Sequence, residues 1–169
     1  MAAILQILPN ATTIMYLITT SGAGSITSPA GYSKVRVEAI GGGGNGAGTG
    51  GNRAGGGGGA YAGAFNLNIA SPGSTVVYYS VGTAGTSSWV NVGTNSSPAS
   101  SSNGCAAVAG GNATSGTAGA GGSAASCVGA TAFSGGNGTT GTGAVGGGGA
   151  GSNEPASGQT AGRLSLIHI

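Results

Sequence analysis

An all-β domain is what this sequence predicts, and three observations predict it. Short runs of β-branched and aromatic residues alternate with small or polar ones at period two. Pro-Gly and glycine-rich turns separate these runs, and no stretch carries a convincing helical period. Glycine supplies 41 of 169 residues with no sustained G-X-Y register, which excludes collagen. The apolar runs suffice for a small β-sandwich-like core. The glycine between them buries little apolar area and needs another means of support.

The elements follow in order. Residues 1–18 read as an N-terminal strand or lead-in, in which "MAAILQILPN" is apolar but lacks a basic head and meets Pro9, against a signal peptide. "TTIMYLIT" (12–19) is β-branched and reads as a strand. A glycine-rich β domain is expected over 19–150. In it "SGAG" is a turn, and "SITSPAGYSK" is extended, broken by Pro29 and Gly31. "KVRVEAI" sends Val35, Val37 and Ala39 to one face and Arg36 and Glu38 to the other, wet one. "AYAGAFNLNI" (60–69) alternates again, placing Tyr61, Gly63, Phe65, Leu67 and Ile69 on one face. "ASPGS" is a turn, and "TVVYYSVG" (75–82) is a further strand in a hairpin-like return. From residue 82 the chain is small and polar, with isolated Trp89, Val90, Val92, Val108, Val128, Phe133 and Val145.

The glycine has a phase. Small residues recur every third position at Gly48, Gly51, Ala54, Gly57, Ala60 and Gly63. They do so again from Gly104 through Gly110, Ala113, Gly119 and Gly122 to Ala125, and from Gly135 through Gly138 and Gly141 to Ala150. Three is the period of the polyproline II helix, whose N–H and C=O groups point outward. Neighbouring glycine helices can then satisfy one another laterally, with Cα–H···O contacts added. The expected fold is a small β-sandwich whose glycine-rich loops pack as polyglycine II helices.

Composition excludes several functions. Four cationic and two acidic residues give a net charge of +2, too sparse for a nucleic-acid footprint. No run reaches the length of a membrane span, so no membrane insertion is expected. Gly41, Gly43 and Gly46 satisfy G-x-G-x-x-G, but no helix pattern or Lys-Ser/Thr follows to hold a phosphate. With no Asp and two carboxylates, general acid–base catalysis and calcium-binding repeats lack their groups, so no enzyme and no cofactor are expected. Glu38 reads as facing Arg36 or Lys34 on a neighbouring strand. Cys105 and Cys127 lack a base partner and further zinc ligands. They are either a disulfide or two small buried thiols. The sequons at Asn10, Asn95, Asn112 and Asn137 arise readily in such a composition.

The last six residues, "LSLIHI" (164–169), break the style of everything before them. They resemble one translation frame of a sequencing-library adaptor, which makes them an expected read-through and 151–163 a truncated C-terminal segment. The alternative is a native terminal strand. On the first reading His168 carries no chemistry.

"TSGAGSITSPAGYSKVRVEAIGGGGNG", "GGGGGAYAGAF", "PGSTVVYYSVGTAG" and the later "GG" clusters resemble the glycine-rich domain of tailed-bacteriophage tail fibres and adhesins, over roughly 19–150. Ile26 stands where that family has an aromatic residue, and Thr83 departs from its closing V-G-x-G-G. The resemblance implies a virion structural protein of the tail, made in the host bacterial cytoplasm and acting at the extracellular surface. Its expected partners are a host cell-surface receptor or glycan and other virion tail proteins. It identifies no binding residues. From the residues themselves, the loop around 86–103 is the expected contact surface, with Trp89, Asn91 and Asn95. Trp89 either stacks on a sugar or receptor or plugs a thin core. The alternatives are a purely architectural virion protein and a cellular glycine-rich wall or ice-binding protein, though ice binding calls for a flat regular Thr array and Thr here is scattered.

Overall fold

A computed structural model of the chain describes residues 3–6, 13–48, 52–141 and 165–168, the first and last of these as backbone strands only. It is all-β, and its strands pair antiparallel throughout. They are β1 (Ala3–Gln6), β2 (Met15–Ile18), β3 (Gly22–Thr27), β4 (Lys34–Ile40), β5 (Arg53–Ala54), β6 (Tyr61–Asn68), β7 (Val76–Val81), β8 (Ser88–Val92), β9 (Gly104–Ala107), β10 (Thr131–Phe133), β11 (Thr140–Gly141) and β12 (Ser165–His168). One sheet has the order β1-β2-β12-β4-β6-β10, a second β3-β7-β8-β9, and β5 pairs with β11. The tail strand β12 lies between β2 and β4, with Ser165 opposite both Ile18 and Ala39. Apolar "LSLI" has the composition of a strand whatever its origin.

The two large sheets face each other across a thin core. β4 packs on β8 and β9, and β6 on β9. Between them lie Val35, Val37, Ala39, Ala62, Ala64, Leu67, Ile69, Val77, Val90, Cys105 and Ala107. Val35, Val37 and Ala39 point inward as the alternation of β4 requires. In β6 the expected single face is overturned. Val35 pairs with Leu67 but Val37 pairs with Ala64, so Arg36 stands opposite two residues, Phe65 and Asn66. Asn66 takes a positive φ of 57° at this bulge, which an Asn tolerates. The extra residue switches the phase. Ala62, Ala64, Leu67 and Ile69 all face the core, and Tyr61, Gly63 and Phe65 face outward with Arg36 and Glu38.

Two further expectations are corrected. β7 does not return along β6. It pairs with β3 and β8, so the Ser71–Thr75 turn carries the chain from one sheet to the other. "SGAG" is not a turn, because β3 begins at Gly22. There Gly24 leaves room for Tyr79, whose ring lies where a Gly24 Cβ would sit.

The glycine-rich segments form a lattice at one end of the sandwich, continuous with its strands. Segment 41–47 continues β4, 54–60 leads into β6, 82–86 joins β7 to β8, 108–113 continues β9, and 135–139 continues β10. Segments 41–47 and 54–60 run antiparallel, bonded through Gly41 N to Ala60 O, Gly44 N to Gly57 O and Ala47 N to Ala54 O, a step of three residues each time. The same step recurs wherever segments meet. Gly57 and Ala60 donate to Gly111 and Val108, Gly55 and Gly58 to Thr139 and Gly136, and Gly119 and Gly122 to Gly55 and Gly58. Gly135 and Gly138 donate to Gly122 and Gly119, and Gly110 and Ala113 to Gly42 and Asn45. Segment 54–60 thus touches four neighbours. That is the lateral bonding of polyglycine II helices.

Glycine is needed here for the missing side chain and not for its dihedral freedom. Gly41–Gly44, Gly55–Gly59, Gly110, Gly119, Gly122, Gly135 and Gly138 are absent from the positive-φ set, which falls at turns such as Gly48, Gly85 and Gly116. Yet a Cβ on Gly41, Gly44, Gly57, Gly59, Gly110, Gly119, Gly122, Gly135 or Gly138 would come within 3.0 Å of a neighbouring carbonyl. The register of three holds within each segment but does not make one helix of 104–125. That stretch is strand β9, segment 108–113, a Thr114–Thr117 turn, a returning segment 117–122 and a single 3-10 turn, Ala124–Ser126.

Candidate functional site

Of the three expected contact residues, the structure brings two onto one strand and one onto a loop. Ser88–Val92 is not loop but β8, a central strand of the second sheet. Val90 fills the core, so Trp89, opposite in phase, lies on the outer face, half-buried, with Ser80 and Ala106 beside it by register. Asn91 shares that face but is only 4% exposed, because the 93–103 loop folds back over it. Its Nδ2 donates to Ser96 O at 2.8 Å, and Val92 N donates to Asn103 O. Asn91 anchors the loop and is not presented to solvent, which corrects its place in the contact surface. Asn95 is exposed at the loop tip.

A second cluster was missed by the alternation argument, since the bulge hides it. On the outer face of the six-stranded sheet, Glu38 Oε1 accepts from Tyr61 Oη at 2.9 Å and from Arg36 Nε at 2.9 Å. Arg36 also forms an ion pair with Glu38 through Nη2. Its partner is thus on its own strand, two residues away, and not on a neighbour. The Arg36 guanidinium lies 4.6 Å from the centroid of Phe65, a cation–π contact. Tyr61 and Phe133 rings meet at 5.8 Å, tilted by 33°. Burial first, then the bond to Glu38, pushes the Tyr61 phenol up to about 12.

Two sequon asparagines act in the lattice. Asn112 Oδ1 accepts from Asn45 N, and Asn137 Oδ1 accepts from Gly121 N, each at 2.8 Å. Each amide reaches a backbone donor of an adjacent segment. Asn10 lies outside the described residues.

Both cysteines are free thiols. Cys105 is buried in β9, and Cys127 is half-buried, donating to Ser123 O and accepting from Val108 N. Burial is the largest cause pushing Cys105 up from 9.0 to about 12, and burial raises Cys127 also. The sign for stability follows. Folded Cys105 holds a proton that the unfolded chain releases above its usual 9.0, and Tyr61 does the same above its usual 10.0. Their contribution is complete below about pH 9 and is lost as pH rises toward about 12. The expected thermal midpoint is level from about pH 7 to 8.5 and then falls, less steeply in Cys105→Ala, where Cys127 and Tyr61 still titrate. Calorimetry across that range checks it, and a wild-type midpoint level to about pH 11 refutes it.

Among the described residues no three His, Cys, Asp or Glu side chains gather as a metal site, and no helix is long and apolar enough to cross a membrane. No model of a known protein family and no curated protein matches the sequence.

Proposed function

We propose that this chain is a non-enzymatic structural protein of the tail-fibre or tip-adhesin kind, a rigid scaffold that holds recognition surfaces toward a bacterial cell. The observation that supports it is the lattice. Its segments bond laterally at every third residue and run without a linker into the strands of both sheets. Such a body loses little entropy when its surfaces dock, because the backbone is already ordered. Ser, Thr and Asn on pinned loops, with an occasional aromatic, supply adaptable contacts. The partners on this reading are a host-surface receptor or glycan and neighbouring tail proteins. Loss of Asn91 from the contact surface favours a second reading, a purely architectural virion component.

Adsorption of the fluorescently labelled chain to a panel of bacterial strains tests the proposal. Saturable binding to some strains is expected, reduced at least about 5-fold by Trp89→Ala if the outer face of β8 makes contact. Adsorption to no strain removes the adhesive reading and leaves the architectural one. Adsorption unchanged by Trp89→Ala removes that face alone.

A further inference from the structure

The geometry points to a binding site for a neutral pyranoside on the outer face of the six-stranded sheet, a platform of Tyr61 and Phe133 edged by Arg36 and Glu38. Gly63 makes the platform possible. It sits opposite Glu38 on β4 and Thr131 on β10, so all three share one row across the sheet. A Cβ there would lie 2.8 Å from Tyr61 Oη and 3.0 Å from Phe65 Cζ. The two rings therefore lie down over the vacant position from either side. One row further along, Tyr61 stands opposite Phe133, and their rings meet. Phe133 is 50% exposed, the large hydrophobic residue left uncovered among the described residues.

Size argues for a sugar over a protein partner. A stable protein interface buries roughly 1,200 Å² or more. One half-exposed ring beside a half-buried tyrosine offers about the area of one or two pyranose rings, whose axial C–H faces stack on aromatic rings. Charge selects the class of sugar. Beside the rings Arg36 and Glu38 neutralise each other, and a further cation of that face, Lys34, stands at the far end of β4 with its ammonium on Asn68 Oδ1, so the platform itself presents little net charge to an acidic saccharide. It still presents directional groups. Glu38 Oε1 is occupied by Arg36 and Tyr61, whereas no described residue donates to Oε2. The Arg36 side chain is 52% exposed and the Glu38 side chain 12%. A vicinal diol can donate to Oε2 and accept from the guanidinium, the pairing a hydroxyl's dual character allows.

This deepens the adhesive reading above by naming a ligand class and a place, and the two are separable by experiment. The labelled full chain is applied to an array of neutral hexose and N-acetylhexosamine oligosaccharides, with sialylated and sulfated ones alongside. Retention on a subset of the neutral sugars is expected, weakened about 10-fold or more by Phe133→Ala and by Glu38→Gln. Phe133 is half-exposed and its ring contact is with Tyr61 at the sheet surface, so its variant should stay folded with a slightly lower melt and decide the matter even if Glu38→Gln folds poorly. Absence of retention on neutral sugars, retention of acidic sugars only, or retention indifferent to Phe133→Ala overturns the site. Adsorption to cells without pyranoside binding overturns the site and leaves adhesion standing. Pyranoside binding without adsorption does the reverse.

Discussion

Gly57→Ala should destabilise the chain by about 3 kcal/mol or more, although it adds a single methyl group. Gly57 lies mid-segment, its N–H bonded to Gly111 O at 3.0 Å and its carbonyl accepting from Gly44 N at 2.7 Å. Its φ is not positive, so alanine's dihedral preference is no obstacle. The obstacle is Ala120, whose carbonyl oxygen and carbon occupy the space a Cβ would need. These are backbone atoms with no side chain to swing aside. Making room means moving segment 117–122 away from 54–60, which breaks the bonds Gly119 N to Gly55 O and Gly122 N to Gly58 O and strains Gly111 N to Ala120 O. Three backbone bonds at about 1 kcal/mol each, more where a group is left buried without a partner, come to about 3 kcal/mol or above. That is a large share of the roughly 5–15 kcal/mol a domain possesses, and here the apolar core is thin. Gly111→Ala is the matched control. A Cβ there would meet nothing nearer than 3.3 Å, and the site is exposed, so its cost should stay within about 1 kcal/mol. Denaturant unfolding of the pair checks the contrast, and equal midpoints would refute close approach as glycine's role.

How much of this was legible in the sequence differs by element, for physical reasons. β4 was legible because one wet and one dry face leave an unbroken alternation of Val and charge. β6 showed the same alternation on paper, but Asn66 inserts a bulge that exchanges the faces. Nothing in "AFNLN" distinguishes that Asn from any other, so the pattern puts Tyr61 and Phe65 on one face with Leu67 and Ile69 and hides the outer cluster. β9 was hidden because "GCAA" is small enough to resemble the glycine segments around it, and β8 because only Trp89, Val90 and Val92 mark it. Pairing between β7 and β3 is a long-range choice that local propensity does not carry. The register of three was legible because it is steric. Every close approach between segments demands a residue without a large side chain; Gly57, Gly110, Gly119, Gly122, Gly135 and Gly138 fall on the predicted phases, whereas Gly56, Gly59 and Gly121 approach a neighbour as closely off them. The turn at Thr114–Thr117 was not, since it keeps that phase while reversing the chain.

Amide hydrogen exchange should separate a lattice from a set of loops by orders of magnitude. In a flexible glycine linker every amide exchanges at the rate of unstructured chain. In the lattice, the N–H groups of Gly41, Gly44, Gly55, Gly57, Gly58, Ala60, Gly110, Gly119, Gly122, Gly135 and Gly138 are held by carbonyls of adjacent segments. None can open without displacing a neighbour that is itself bonded elsewhere, so opening is cooperative. The expected slowing is about 10⁴-fold or more, an opening free energy of about 5 kcal/mol. Exposed amides at the tip of the 93–103 loop, such as Asn95, should exchange fast in the same sample. The asparagine locks give a sharper arm. Gly121 N is held by Asn137 Oδ1, and Asn45 N by Asn112 Oδ1. Asn137→Ala should therefore release the Gly121 amide while Gly119 and Gly122, bonded to backbone, stay slow. Release of Gly121 alone, between Gly119 and Gly122 that both stay on segment 54–60, is what a threefold helix gives, since residues three apart share a neighbour and those between them face another. Uniformly fast exchange through 41–60 and 108–138 would instead mean that these segments do not hold one another, and the rigid-scaffold proposal would fail with them.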